Sequence, residues 1–325
     1  MSSTNGTNGT RPQRQLKPGI NVPLVAFFQP ETEDIDVEST KKHAIRLAQA
    51  GLTSLTVQGS NGEAVHLTRE ERSLVTKTVR EALDSAGFEH VPVVVGCAAQ
   101  SVRESVLYCK DAYEAGGDYA LVLPPNYYKA AMTDQVLIDY FLNLADESPI
   151  PIVIYNYPGA VAGIDLNSDQ IIRLAKHPKI VGCKLTCGNT GKLARVASAV
   201  NAATSTQENS GWMCMGGSAD FTLQTLIAGG SGIITGLGNV TPKACVKVFD
   251  LYKAGKVEEA QKLQAIVARG DWAVISGGVV GTKSGMESWY GYGGEARRPL
   301  PRRTKEDDTK YKEMLKEVVD LENSL

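Results

Sequence analysis

The feature that most constrains the fold is a short apolar run, rich in β-branched residues, that returns eight times along the chain. Most copies are continuously apolar, which is typical of strands buried on both faces of a parallel sheet. Segments with helical periodicity separate the copies. The predicted strands are residues 22–28, 54–58, 91–96, 119–123, 152–155, 180–184, 212–215 and 232–235. The predicted helices between them are residues 39–50, 68–86, 101–115, 133–146, 167–175, 192–199 and 221–228.

Strands and helices that alternate at roughly thirty residues per unit predict an α/β fold, a (β/α)₈ TIM barrel. The competing doubly wound sheet usually carries a glycine fingerprint directly after its first strand, and residues 29–34, which follow the first predicted strand here, contain no glycine. We expect a disordered polar tail over residues 1–16, the barrel over 17–241 and a C-terminal helical region over 242–325. Within the last region we expect helices at 242–254 and 257–274, a glycine-rich turn at 277–281 and a closing helix from Thr304.

Composition excludes several classes of function. The formal net charge is −2, which offers no basic surface to nucleic acid or to an anionic membrane. The six cysteines form no CxxC pair, so we expect reduced thiols and a cytoplasmic protein; Arg11 and Arg14, in a leader without acids, make mitochondrial import the less favoured alternative. The four histidines lack metal-site spacing, and we expect neither a metal nor a cofactor.

In a TIM barrel the chemistry lies at the C-terminal ends of the strands, and Lys184 closes the sixth predicted strand. Burial disfavours an ammonium group, and a neutral amine can attack a ketone to form a Schiff base. Taken alone, Lys184 could equally be a surface lysine at the start of a loop. Tyr155 closes the preceding strand, and its phenol could relay protons beside the imine or could be an ordinary core tyrosine.

Polar residues and glycines also follow the second, sixth and seventh predicted strands. The turn of Gly59, Ser60 and Asn61 presents backbone N–H groups and two polar side chains, which suits a carboxylate, although such clusters are usually only turns. Thr186 follows the sixth strand, and Gly217 and Ser218 follow the seventh. We take all six residues as candidates for substrate binding.

These motifs, in this order, resemble the dihydrodipicolinate synthase and N-acetylneuraminate lyase superfamily of Schiff-base aldolases. The resemblance covers nearly the whole chain after the tail. It implies that Lys184 forms the imine, that Tyr155 relays protons and orients substrate, and that Ser60 links Tyr155 to Tyr127 of a neighbouring subunit in a homotetramer. It also implies that Ser60 and Asn61 bind the carboxylate of a pyruvate-like 2-oxo acid. The motifs that carry it are Gly59–Glu63, Pro125–Tyr128, Tyr155–Pro158, Gly182–Lys184 and Gly236–Asn239.

One departure from the family pattern bears on the substrate. The synthase itself carries an arginine shortly after the proline of its Tyr-Asn-x-Pro motif, whereas residues 158–163 here contain no cation. The synthase reaction of lysine biosynthesis is therefore not expected. The Gly59–Glu63 turn and the segment Trp289–Gly294 are more similar to the fungal 2-keto-3-deoxy-L-galactonate aldolases and the eukaryotic 4-hydroxy-2-oxoglutarate aldolases. This resemblance, with the small residues near Ala160, implies cleavage of a 2-keto-3-deoxy sugar acid, 2-keto-3-deoxy-L-galactonate, to pyruvate and glyceraldehyde. The first alternative is 4-hydroxy-2-oxoglutarate aldolase activity; further ones are a synthase-like condensation and a non-catalytic barrel that binds 2-oxo acids.

Overall fold

A closed barrel of eight parallel strands, each hydrogen-bonded to the next and the last to the first, forms the centre of the molecule. The computed structural model describes residues 14–325. The strands are β1 (Gly19–Pro23), β2 (Ser54–Val57), β3 (Val93–Gly96), β4 (Tyr119–Val122), β5 (Ile152–Asn156), β6 (Ile180–Leu185), β7 (Met213–Gly216) and β8 (Gly232–Ile234). The predicted (β/α)₈ barrel is confirmed.

One α-helix follows each strand, and two more complete the described chain. They are α1 (Val37–Gln49), α2 (Arg69–Ser85), α3 (Val102–Glu114), α4 (Asp134–Glu147), α5 (Ser168–Leu174), α6 (Thr190–Val200), α7 (Thr222–Ile227), α8 (Pro242–Lys253), α9 (Val257–Tyr290) and α10 (Lys305–Ser324). Local sequence sets their ends: a capping box of Thr68 and Glu71 opens α2, for example. None of the described helices is long and apolar enough to cross a membrane.

The predicted position of the first strand, residues 22–28, was wrong. The strand is Gly19–Pro23, and the five apolar residues after it are buried outside the barrel sheet. Phe28, for instance, forms an isolated antiparallel bridge with Ile35. An apolar run reports burial and not sheet pairing, so a buried loop that continues a strand cannot be told from the strand itself.

Leu16 closes the N-terminal end of the barrel by packing against two clusters of inward-facing apolar side chains. Arg14 is also held, because its Nη1 lies 3.1 Å from Asp118 Oδ1 and its carbonyl accepts a hydrogen bond from the Tyr119 hydroxyl at 2.8 Å. Residues 14–16 of the predicted tail therefore contact the barrel. The rest of the predicted tail, residues 1–13, lies outside the described residues.

The glycine-rich segment predicted as a turn at 277–281 interrupts α9, which consists of two helical stretches on either side of Gly278. Only Gly278 leaves helical geometry there, with φ 57° and ψ −146°, and the helix continues to Tyr290 on the other side of this kink. The neighbouring glycines allow α10 to approach: a Cβ on Gly270 would lie 2.4 Å from Val318 Cγ1, and one on Gly285 would lie 2.3 Å from Leu315 Cδ1. These two glycines allow close packing of α10 against α9.

Candidate active site

Lys184 lies inside the barrel because side chains alternate along β6. Its neighbours Cys183 and Leu185 pack outwards against the helices, whereas Lys184 is only 4% exposed. The register of β5 and β6 sets Tyr155 beside Lys184, and Lys184 Nζ lies 4.2 Å from the centre of the Tyr155 ring. The two residues that the sequence singled out are in contact.

Tyr155 connects this pair to the turn after β2. Its side chain is 3% exposed, and its hydroxyl lies 3.5 Å from Ser60 Oγ, the long limit of a hydrogen bond. On its other side it stacks on Tyr157, with ring centres 5.8 Å apart. Burial raises the pKa of Tyr157 above its usual value, and the charge of the nearby Tyr155 adds a smaller effect in the same direction. Lys184, Tyr155 and Ser60 thus form a continuous chain of contacts across three strands.

The turn of Gly59, Ser60 and Asn61 is held between two strained residues. Gln58 and Glu63 both have positive φ, 56° and 49°, a conformation that persists only when the surroundings fix it. Gln58 is fixed by a hydrogen bond from its Nε2 to Thr76 Oγ1 at 2.8 Å. On the other side, Asn61 Nδ2 occupies space that a Cβ on Gly236 would need, 2.7 Å away. The turn is therefore rigid, as a binding site requires.

A cavity of about 380 Å³ opens beside Ser60 and Tyr155 at this C-terminal end of the barrel. Lys184 is not part of its wall and adjoins it through the Tyr155 ring. A larger cavity of about 490 Å³ lies at the opposite end, against Leu16 and Met213; the contacts around Lys184 mark the smaller one as the candidate site. The smaller cavity is lined by Gln58, Gly59, Ser60, Glu63, Ala64, Val65, His66, Arg72, Gly96, Ala98, Leu121, Leu123, Tyr155, Ala160, Val279 and Leu300.

Three further predicted residues meet at the ends of β6 and β7. A Cβ on Gly217 would lie 2.0 Å from Thr186 Oγ1, so only glycine allows this approach. Thr186 Oγ1 is buried and has no hydrogen-bond partner among the described residues. Ser218, however, donates its hydroxyl to Asp271 Oδ2 at 2.6 Å. The sequence did not single out Asp271 because it belongs to α9, outside the barrel.

Asp271 is a buried carboxylate that joins α9 to the end of β7. Its Oδ2 also accepts a hydrogen bond from Asp220 N at 2.9 Å. Burial raises the pKa of Asp271 to about 6, an effect that hydrogen bonding from Ser218 opposes and the charge of Asp220 reinforces. Burial also raises the pKa of Asp220.

Tyr127 is not brought to the other candidates within one chain. Its side chain is 78% exposed, and it packs edge-to-face on Tyr128, which is also exposed. Its backbone N–H is held by Gln100 Oε1 at 2.9 Å. Among the described residues, no hydrogen bond joins its hydroxyl to Ser60 or Tyr155.

A second group that the sequence missed is a buried ion pair below the Ser60 turn. Lys283 Nζ of α9 donates to Glu63 Oε1 at 2.7 Å, and each of the two side chains is 1% exposed. Burial lowers the pKa of Lys283, although the attraction of Glu63 opposes this. Glu63 Oε2 accepts from Arg297 N at 2.9 Å and lies 3.1 Å from His66 Nδ1. No local pattern relates residues 220 positions apart.

Cations lie nearer to the site than the sequence indicated. Residues 158–163 contain none, but Lys129 Nζ lies 3.4 Å from the position that a Cβ on Gly163 would take. Lys129 is exposed. Arg72 forms part of the cavity wall, where its Nη1 donates to Ala64 O at 2.8 Å and its Nη2 donates to Gly96 O at 2.5 Å.

Known proteins are similar to this chain over almost its whole length. Residues 17–318 match the model of the dihydrodipicolinate synthetase family. A protein of Emericella nidulans named "Probable 4-hydroxy-2-oxoglutarate aldolase, mitochondrial" is 54% identical over 312 residues, 96% of this chain and 98% of that protein. The L-threo-3-deoxy-hexylosonate aldolase of Hypocrea jecorina is also 54% identical, over 94% of this chain and 98% of that one.

A solved structure agrees over nearly the whole chain. The crystal structure of a dihydrodipicolinate synthase family protein from Coccidioides immitis has a TM-score of 0.82 and is 35% identical. The match covers 96% of this chain and 99% of that one.

The raised pKa of Asp271 predicts a pH-dependent stability. Protonation of Asp271 favours the folded state, and this contribution is complete below the unfolded pKa, near 4, and is lost as the pH rises through about 6. Asp271→Asn has no such loss. Between pH 4 and pH 7 we expect the free energy of unfolding of the wild type to fall by about 2 kcal/mol relative to that of the variant.

Urea denaturation across this pH range measures the difference. Asp250→Asn, which changes an exposed aspartate of α8, is the control and should follow the wild type. A difference between the wild type and Asp271→Asn that stays constant with pH contradicts the raised pKa.

Proposed function

Since the chain belongs to the dihydrodipicolinate synthetase family, we propose that it is a pyruvate-releasing aldolase that acts through a Schiff base on Lys184. One observation supports this most: the buried amine of Lys184 lies against the ring of Tyr155, whose hydroxyl approaches Ser60 at the mouth of the barrel. A buried lysine beside a phenol is the pair of groups that imine formation and proton transfer require.

In the proposed reaction the Lys184 amine attacks the C2 carbonyl of a 2-oxo acid, water leaves, and an iminium ion forms. Tyr155 then removes the proton of the C4 hydroxyl. The C3–C4 bond breaks, its electron pair moves into the iminium to give an enamine, and an aldehyde leaves. Protonation at C3 and hydrolysis release pyruvate and restore the amine. Ser60, Asn61 and the backbone N–H groups of their turn hold the substrate carboxylate throughout the reaction. Thr186, Gly217 and Ser218 line the opposite side of the substrate site.

The substrate that we propose is a 2-keto-3-deoxy sugar acid, 2-keto-3-deoxy-L-galactonate, cleaved to pyruvate and glyceraldehyde. Support comes from the Hypocrea jecorina relative, an L-threo-3-deoxy-hexylosonate aldolase by name, and from the small residue Ala160 in the cavity wall. The alternative, 4-hydroxy-2-oxoglutarate, carries a second carboxylate. Arg72 and Lys129 are the observations that favour it, together with the name of the Emericella nidulans relative.

We further propose a homotetramer in which Tyr127 completes the site of a neighbouring subunit. An exposed pair of aromatic rings at the rim of the barrel is typical of a surface that a partner covers. The cytoplasm is the compartment that we propose, and mitochondrial import is the alternative, in line with the name of the Emericella nidulans relative.

Schiff-base formation predicts covalent trapping at one lysine. Borohydride added with pyruvate should reduce the imine and fix the adduct on Lys184, as peptide mass spectrometry would detect. Lys184→Ala should form no adduct, and its rate of aldol cleavage should fall at least about a thousandfold. Lys179→Ala, which changes an exposed lysine just before β6, should keep both. Labelling of another lysine, or none, would contradict the mechanism.

The proposed substrate predicts an order of rates in a panel of 2-oxo acids assayed for pyruvate release. We expect kcat/KM for 2-keto-3-deoxy-L-galactonate to exceed that for 4-hydroxy-2-oxoglutarate by about tenfold or more, because a second carboxylate must be desolvated without a dedicated ion pair. The reverse order favours the alternative. In that case Lys129→Ala should slow only the dicarboxylate, and Lys110→Ala, an exposed lysine of α3, should slow neither.

The shared site predicts complementation between inactive subunits. Tyr127→Phe and Tyr155→Phe should each reduce activity by about a hundredfold or more. Refolding the two variants together should restore part of the activity, since some mixed assemblies contain a site with both tyrosines intact. A fully active monomer in analytical ultracentrifugation would contradict this proposal.

A further inference from the structure

The polar side chains in the wall of the cavity beside Ser60 differ in whether they have a hydrogen-bonding atom free for a ligand. The two charged side chains already have partners: Arg72 donates to the carbonyls of Ala64 and Gly96, and Glu63 accepts from Lys283 and from Arg297 N. Gln58 Nε2 is bound to Thr76. A ligand that enters this cavity must therefore form its hydrogen bonds with wall groups other than these three.

His66 is the exception among the side chains of this wall that carry an ionisable group. It closes a short 3₁₀ turn, Ala64–His66, just after the Ser60 turn. Its side chain is 18% exposed, and its Nδ1 lies 3.1 Å from Glu63 Oε2. Within residues 14–325 its Nε2 has no hydrogen-bond partner. Because the carboxylate accepts but cannot donate, Nδ1 carries the proton in the neutral form of the ring, and in that form Nε2 presents a lone pair.

The buried ion pair fixes the direction of that lone pair. Glu63 cannot turn away from His66, because Lys283 holds its other oxygen. Lys283 in turn donates to Glu295 O at 2.8 Å and lies 4.7 Å from the centre of the Phe28 ring. A buried pair of this kind adds little net stability once both ions are desolvated. It does set the orientation of a histidine, as a carboxylate does behind a metal-bound or catalytic imidazole.

The substrate has one half that these groups can reach. In the proposed function, on which this inference rests, Lys184, Ser60 and Asn61 hold the pyruvate half. The rest of the cavity, bounded by His66, Ala160 and Leu300, is left for the half that departs as the aldehyde. A neutral acceptor pairs with a hydroxyl group and has no proton to offer a carboxylate.

We propose that His66 is a specificity-determining residue whose Nε2 accepts a hydrogen bond from a hydroxyl on C5 or C6 of the substrate. Glu63 and Lys283 are its positioning residues. The chain thereby selects polyhydroxylated 2-oxo acids over those of the same length that lack these hydroxyls.

Two six-carbon substrates test this directly: 2-keto-3-deoxy-L-galactonate and 4-hydroxy-2-oxohexanoate, which has the same reacting carbons but no hydroxyl on C5 or C6. His66→Phe should lower kcat/KM about tenfold or more for the first and less than twofold for the second. Borohydride trapping of pyruvate on Lys184 should be unchanged. His66→Gln, which keeps an acceptor, should recover part of the loss, and His90→Phe, an exposed histidine before β3, should change nothing.

The double variant Glu63→Gln/Lys283→Met tests the positioning residues without leaving a buried charge unpaired. It should show the same loss confined to the hydroxylated substrate, and adding His66→Phe to it should lower the rate little further. Equal losses on both substrates, or weaker trapping of pyruvate by His66→Phe, would mean a structural role and overturn the inference. A wild type that traps no pyruvate and cleaves neither substrate refutes the proposed function instead.

Discussion

The site depends on one contact, between the Lys184 amine and the ring of Tyr155. Both side chains face the barrel interior because their strands are in register, with Tyr155 beside Lys184. A shift of one residue in either strand would move its side chain to the helix-facing side. The π face accommodates an amine that the apolar interior otherwise disfavours, and the hydroxyl of the same ring lies 3.5 Å from Ser60 Oγ. The other candidate residues can therefore contribute to the site only if the register of β5 and β6 places Tyr155 beside Lys184.

The barrel does not build this site alone, since α9 reaches it at three points. Asp271 binds Ser218 at the end of β7, Lys283 binds Glu63 after β2, and Val279 forms part of the cavity wall. The kink at Gly278 lies between the first two contacts. A straight helix leaves the curved rim of a barrel, whereas a kinked one can follow it. The C-terminal helical region is thereby an integral part of the candidate site rather than an appendage.

Periodicity and strand-end position predicted most of the fold and the centre of the site. Eight apolar runs indicated the barrel, and the rule that chemistry lies at the strand ends singled out Lys184, Tyr155 and Ser60, which the structure brings into contact. The wrong or missing predictions share a cause: composition indicates that a residue is buried but not which residues it contacts. It could not separate β1 from the buried loop after it, show that a helix resumes after Gly278, or distinguish Lys283 from any other helical lysine. Each of these depends on contacts between residues far apart in sequence.

The cavity chemistry bears on which of the two substrates suits it better. The guanidinium of Arg72 is bound to two carbonyls, so a carboxylate would have to break those hydrogen bonds to use it. Lys129 is exposed, and water screens its attraction for a distant anion. Neither cation offsets the desolvation of a second carboxylate as a buried, unpaired arginine would. A hydroxyl group requires only a neutral acceptor held in a fixed direction. In the proposed role of His66, its Nε2 is that acceptor, oriented through Nδ1 by the buried pair of Glu63 and Lys283. The electrostatics of the wall therefore favour a hydroxylated substrate over a dicarboxylic one.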